Sequence, residues 1–332
     1  MLGRPGLAMI WIFVWVLAGL LLAAMLVVAY FVLQTRRIAT KAERLVPATG
    51  KFITLDGCRI HYVEAGEGPP IVFIHGLGAQ LHQFRSTLFP DLARDFRVIA
   101  LDRPGSGYST RPFSASGQVT EQARLVAQFI ESLGLERPLI VGHSLGGAVS
   151  LALALDHPNS ISGLALLAPL TRHRPEMPPQ LASLYVKSPL KRWVLAHTIS
   201  APLALKYAQA TLAFVFGPQH APADYMTEGG GWLGLRPQAI FGSCTDVVAL
   251  EQDMPVLEKR VGEIEAPVGI LFGTADKVLD FEIDGKSMKE RLPTVEFQLL
   301  DGVGHMLQFS APVQTIDFIR RMAMRTIPIS SG

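Results

Sequence analysis

Cysteine is nearly absent: Cys58 and Cys244 are the only two in 332 residues, far apart and in no metal-ligand spacing. That excludes a disulfide-dense scaffold and a cysteine-based zinc site. Both read as small apolar fillers, and whether they pair is not set by sequence. Charge is scarce too, at 17% Asp, Glu, Lys and Arg with a formal net charge of +2. So weak a field, with no Lys/Arg cluster interleaved with aromatics, argues against nucleic acid as a partner. What the chain does have is apolar residues, 49% of it, enough for one large domain plus an accessory segment.

From Leu7 to Leu33 the chain is apolar and carries no charged residue. As a helix this run would extend ~40 Å at ~1.5 Å per residue, more than the ~30 Å hydrocarbon core of a bilayer. Trp11 and Trp15 lie towards one end and Tyr30 at the other, positions that suit amphipathic rings at the headgroup level. A buried soluble helix of this length would keep a polar face, and this run has none. A cleaved signal peptide has a shorter apolar region and a small-residue cleavage site, whereas this run leads into Gln34, Arg36 and Arg37. The reading is an uncleaved single-pass anchor over 7–33, after a tail 1–6 and before a basic linker 34–50 closed by Pro47 and Gly50. Arg36, Arg37, Lys41 and Arg44 follow the span and only Arg4 precedes it. The positive-inside bias then places the following domain on the cytoplasmic face, in a bacterium at the inner membrane.

Beyond the linker, FITLDGCRIHYVEAG alternates around Asp56-Gly57 as a hairpin. PPIVFIHG is a continuous apolar run of the kind buried on both sheet faces. A helical stretch near 82–94, a strand 96–102, a helix near 119–133, a strand 138–143, a helix 145–156 and a strand 163–169 follow. After an interruption, strand 267–273, a helix near 282–292, strand 295–301 and a helix near 311–325 resume the alternation. This predicts an α/β domain with a mostly parallel eight-stranded sheet covered on both faces. The core would comprise residues 51–169 and 263–326, with a tail 327–332. The interruption, 170–262, is rich in proline and aromatics without a buried-strand run. It reads as an inserted helical cap, since a structureless loop that long is improbable.

Gly142-His143-Ser144-Leu145-Gly146 sits between a predicted strand and a predicted helix, the context in which G-x-S-x-G presents a nucleophile. Gly142 and Gly146 lack the Cβ that would block close chain approach at such a turn, and the helix N-terminus sets positive dipole beneath a developing oxyanion. His75-Gly76-Leu77-Gly78 follows an earlier strand at the matching crossing. The backbone amides of Leu77 and Leu145 are the two expected oxyanion donors. His75, Gly76 and His143 are expected to support the loop and the turn. Of nine histidines, His305 alone lies in a loop between the last predicted strand and helix, where a general base would be presented. Asp276 follows a buried strand and would fix its tautomer, with Asp280 in reserve. The chain order Ser144, Asp276, His305 differs from the chymotrypsin and subtilisin orders. Trp193, Phe214 and Trp232 of the cap, with Tyr207 and Phe216, are candidates to line an apolar substrate pocket.

Together HGLG (75–78), DRPGSGYS (102–109), GHSLGG (142–147), GTADKV (273–278) and GVGH (302–305) resemble the α/β-hydrolase superfamily over about residues 51–325. The resemblance implies the fold above and a serine hydrolase that needs no metal or organic cofactor. It does not choose among esterase, lipase, C–C hydrolase, thioesterase, lactonase and acyltransferase. DRPGSGYS also looks like epoxide hydrolases and haloalkane dehalogenases, but those use an aspartate where this chain has Ser144. A serine adduct of an epoxide or halide would be an ether with no carbonyl for water to attack. An N-terminal span before this domain is similar to membrane-bound monoacylglycerol lipases, so the expected substrate is an apolar or lipid-like ester. A catalytically silent membrane-bound binding protein is the alternative of another class.

Overall fold

The computed structural model describes residues 4–174 and 178–326. The tail 327–332 and the first residues of the tail 1–6 lie outside them. A single helix, α1, runs from Arg4 to Leu45. It is long and apolar enough to cross a membrane, with a mean hydropathy of 2.8 over its most apolar window. The stretch expected as a basic linker is therefore mostly helix. Its last turns carry Thr35, Ile38 and Ala42 at helical spacing, and all three are buried. That stripe gives the helix a face to dock, so it continues until Pro47 approaches.

The sheet has eight strands: β1 (Lys51–Leu55), β2 (Cys58–Ala65), β3 (Pro70–Ile74), β4 (Arg97–Leu101), β5 (Leu139–His143), β6 (Gly163–Leu167), β7 (Val268–Gly273) and β8 (Glu296–Leu300). Their spatial order is β1-β2-β4-β3-β5-β6-β7-β8. β1 pairs antiparallel with β2, and β2 with β4, while every pairing from β4 to β8 is parallel. The β1–β2 turn has positive φ at both Asp56 (45°) and Gly57 (76°), the twist a two-residue hairpin demands. β5, β6 and β7 are buried along their whole length, which is why they read as unbroken apolar runs.

Helices cover both faces. The stretch near 82–94 is two short helices, α2 (His82–Arg85) and α3 (Phe89–Leu92), because Pro90 suits a first turn but not a helix interior. α4 (Val119–Ser132) and α5 (Leu145–Asp156) follow. Between β6 and β7 the chain forms α6 (Pro189–His197), α7 (Ser200–Lys206), α8 (Ala208–Phe216) and α9 (Pro237–Arg260), with a tight helical turn over Gly231–Leu235. Met254 and Leu257 of α9 join the main core, so the end of the 170–262 segment packs with the sheet layers. After β7, a wide turn over Phe281–Lys286 and α10 (Met288–Arg291) stand where one helix was expected. α11 (Leu307–Ser310) and α12 (Pro312–Thr326) complete the chain.

Candidate active site

Ser144 lies at the junction of β5 and α5 with φ 54° and ψ −119°, a left-handed conformation that costs a non-glycine residue of order 1–3 kcal/mol. The surroundings enforce it. The Ser144 amide donates to Leu167 O (3.1 Å), and its carbonyl accepts from Gly147 N (2.8 Å) and Leu170 N (3.0 Å). The flanking glycines are steric necessities. A Cβ at Gly146 would fall 2.1 Å from Ile74 O, and one at Gly142 would fall 2.3 Å from Ser150 Oγ. Gly146→Ala should therefore lower stability by ~2 kcal/mol or more through overpacking and displace Ser144. Urea unfolding and serine-probe labelling would check this, and a wild-type midpoint with wild-type labelling would refute it.

Asp276 and His305 emerge from the loops after β7 and β8. His305 Nδ1 lies 2.7 Å from Asp276 Oδ2, and both side chains are buried. The other carboxylate oxygen, Oδ1, accepts from Val278 N (2.7 Å) and Leu279 N (3.0 Å), so the carboxylate is fixed on both sides. The two loops are bound to each other, with Ala275 N donating to Val303 O (3.0 Å) and Gly302 N to Thr274 Oγ1 (2.8 Å). From the segment between β6 and β7, the Gln219 side chain donates to Gly302 O (2.7 Å) and accepts from Gly304 N (2.9 Å). With Nδ1 on the carboxylate, Nε2 is the nitrogen of His305 left for chemistry.

Ser144, His305, Leu77 and Leu145 border one cavity of about 800 Å³. Among the described residues no hydrogen bond joins Ser144 Oγ to His305, a spacing that substrate binding commonly closes in hydrolytic sites. Gly76 brings its loop against the serine turn: a Cβ there would sit 3.1 Å from Ser144 Cβ. Neither the Leu77 nor the Leu145 amide donates a hydrogen bond among the described residues, and Leu145 opens α5, where first-turn amides have no partner within the helix.

Two further histidines brace this floor. His75 Nε2 accepts from Arg103 N (2.9 Å), so Nδ1 carries the proton given to Gly76 O (2.8 Å). Burial, with the Arg103 cation beside it, holds His75 down at about 3. His143 Nδ1 accepts from Gln83 Nε2 (3.0 Å), which leaves Nε2–H to donate to the His305 carbonyl (3.1 Å). His143 is kept well below the usual histidine value by burial and by His305. His82 is lowered by burial to about 4. These rings stay neutral when folded and take up protons when unfolded below about pH 6.5. Stability is therefore fully present above that pH and is lost as pH falls towards 4. The urea midpoint should be lower at pH 5 than at pH 7; equal midpoints would contradict the assignment.

The segment between β6 and β7 lines the cavity with Leu181, Leu184, Leu212, Phe214 and Val215, and Arg172, Arg174 and Glu251 add polar groups to the lining. Of the five expected pocket aromatics, only Phe214 lines it; Tyr207 is exposed, and Phe216 is buried against Tyr225 and Phe309. Trp193 is on the outer surface, 45% exposed and stacked on His197. Trp232 packs beside α1, with Lys41 Nζ 4.5 Å from its ring centroid. Neither position was legible because sequence does not say which cap face meets the site. Gln83 and Tyr225 also border the cavity and were not expected there; a lone Gln in a short helix carries no motif.

A family profile for the alpha/beta hydrolase fold matches residues 69–195. An uncharacterized protein of Mycobacterium bovis is 30% identical over 310 residues, covering 89% of this chain and 87% of that one. The dihydrolipoyllysine-residue acetyltransferase component of the acetoin cleaving system of Cupriavidus necator is 39% identical over 129 residues. That match covers 39% of this chain, which thereby spans only 34% of that relative. Among solved structures, a membrane phospholipase A superposes with a TM-score of 0.67 at 27% identity, covering 95% of this chain and 98% of that one. With the sheet order, the serine at the β5–α5 turn and these likenesses together, the chain belongs to the α/β-hydrolase superfamily.

Proposed function

We propose that this enzyme hydrolyses carboxylic esters of apolar or lipid-like molecules through an acyl-enzyme on Ser144, tethered to a membrane by α1. The observation that carries the reading is the Asp276–His305 pair (2.7 Å) opening on the same cavity as Ser144. His305 Nε2 takes the Ser144 proton as Oγ attacks the ester carbonyl, and the Leu77 and Leu145 amides receive the oxyanion. His305 then protonates the leaving alcohol, and in the second half it deprotonates the water that releases the acid. Asp276 holds the proton on Nδ1 and stabilises the imidazolium; no metal or organic cofactor enters. The apolar cap wall suits an acyl chain, and the candidate span suits a substrate partitioned into lipid. The likeness to a membrane phospholipase A favours lipid esters over soluble ones.

A fluorophosphonate probe should label the wild-type protein and not Ser144→Ala, and monoacylglycerols and longer nitrophenyl esters should be cleaved. Labelling that survives Ser144→Ala would remove the nucleophile. The cations after the span favour a catalytic domain on the cytoplasmic side of a bacterial inner membrane. Protease digestion of right-side-out and inverted vesicles tests this, with cleavage expected only in the inverted ones.

A further inference from the structure

α6 and α7 turn an apolar face outward. Leu190, Trp193, Val194, Leu203 and Leu205 are exposed on them, as is Tyr207 just after α7, with Leu190 at 65%. Scattered apolar residues on a surface are ordinary, but this many on two consecutive helices form a patch. Its composition is one-sided as well. Between Glu176 and Asp224 the chain has no acidic residue, and Lys191 and Lys206 stand exposed beside the patch without an ion pair among the described residues.

The position of the patch names its occupant. The Thr35 hydroxyl of α1 donates to the carbonyl of Thr198, at the α6–α7 junction. Ile38 of α1 is buried with Ala196 of α6 and Ala201 of α7. Thr35 comes two residues after Leu33, where the apolar run of α1 ends, so the junction is fixed within ~3 Å of that level along the helix axis. Exposed Arg36 and Arg37 lie at the same height. An apolar face flanked by cations, held at the end of a membrane-crossing helix, matches an interfacial helix on anionic lipid.

We infer that α6 and α7 lie in the headgroup region of an anionic phospholipid bilayer and form a second membrane contact beside α1. This rests on α1 spanning a membrane, as proposed above. α7 is then the wall between lipid and site: Ala204 borders the cavity, while Leu203 and Leu205 face outward on the same helix. Substrate would pass from the leaflet around a single helix without crossing water.

The test uses the full chain in phosphatidylcholine vesicles containing phosphatidylglycerol. Leu190→Cys, Leu203→Cys and, as a remote control on α12, Val313→Cys each carry an environment-sensitive dye; native Cys58 and Cys244 are buried. Dyes at 190 and 203 should shift to the blue and be quenched by doxyl lipids, while the dye at 313 should be quenched only by aqueous iodide. Iodide quenching at all three sites overturns the proposal. So does shielding of 190 and 203 from both quenchers that grows with protein density, since a second copy of the chain would then cover the patch. The Leu190→Glu, Leu203→Glu double variant should lose activity on vesicle-borne monoacylglycerol while cleaving a soluble short-chain ester at the wild-type rate. Equal rates on vesicles would count against the contact. Lipid quenching without ester cleavage would instead refute the hydrolase reading and leave the contact standing.

Discussion

His305→Ala is expected to lower ester turnover by about 10⁴- to 10⁶-fold with little change in stability, since losing the base of such a triad costs nearly as much as losing all of it. Without the imidazole, the Ser144 proton has no acceptor in the transition state, and the backbone oxyanion donors alone supply the residual rate. Asp276→Asn should act through the same nitrogen. The amide keeps the shape of the carboxylate, which accepts from Val278 N and Leu279 N, but it no longer favours the proton on Nδ1. A loss of roughly 10⁴-fold is expected from the wrong tautomer. Steady-state kinetics on a nitrophenyl ester, with burst analysis of acyl-enzyme formation, would measure both. Retention of even a tenth of wild-type turnover by His305→Ala would remove it as the base.

Asp246→Ala should be the most damaging change outside the site. Its carboxylate pairs with Arg103 (2.7 Å) and Arg111 (2.7 Å), and all three side chains are almost wholly buried. Removing the anion strands two guanidinium groups in a low-dielectric interior, at a cost of ~3–5 kcal/mol. The damage would extend to the floor of the cavity. Arg103 also donates to His75 O (2.9 Å) and Gly76 O (2.9 Å), the carbonyls that shape the loop before the Leu77 amide. Activity should fall further than the folded fraction alone accounts for. Urea unfolding and turnover per folded molecule would separate the two effects. A stability within 1 kcal/mol of wild type would end the account of Arg103 as a braced cation.

These two expectations differ in how early they could be made. Ser144, Asp276 and His305 each sit in a short local pattern after an apolar strand, so spacing and glycine content pointed to them directly. The eight strands were legible for the same reason: burial on both faces writes continuous apolar runs into the chain. Asp246 was not legible, because its partners Arg103 and Arg111 lie more than a hundred residues away and no local pattern announces a long-range ion pair. The helix of α1 was visible to Leu33 through hydropathy. Its continuation needed the buried stripe of Thr35, Ile38 and Ala42, which a run of cations masked. Trp193 and Trp232 show the same limit from the other side, since an aromatic in a cap can face the cavity, the solvent or a neighbouring helix with identical local sequence.

The unbroken course of α1 has a mechanical corollary. A span that meets a bilayer thinner than its apolar length accommodates by leaning. A flexible tether would absorb that lean, but here the same rod is clasped by the Thr35–Thr198 bond and by Arg236 on Glu43 (2.8 Å). With α1 spanning a bilayer as proposed, whatever angle the lipid imposes would be passed on to the helices beside the cavity. Membrane thickness would then set how those helices are presented to the leaflet.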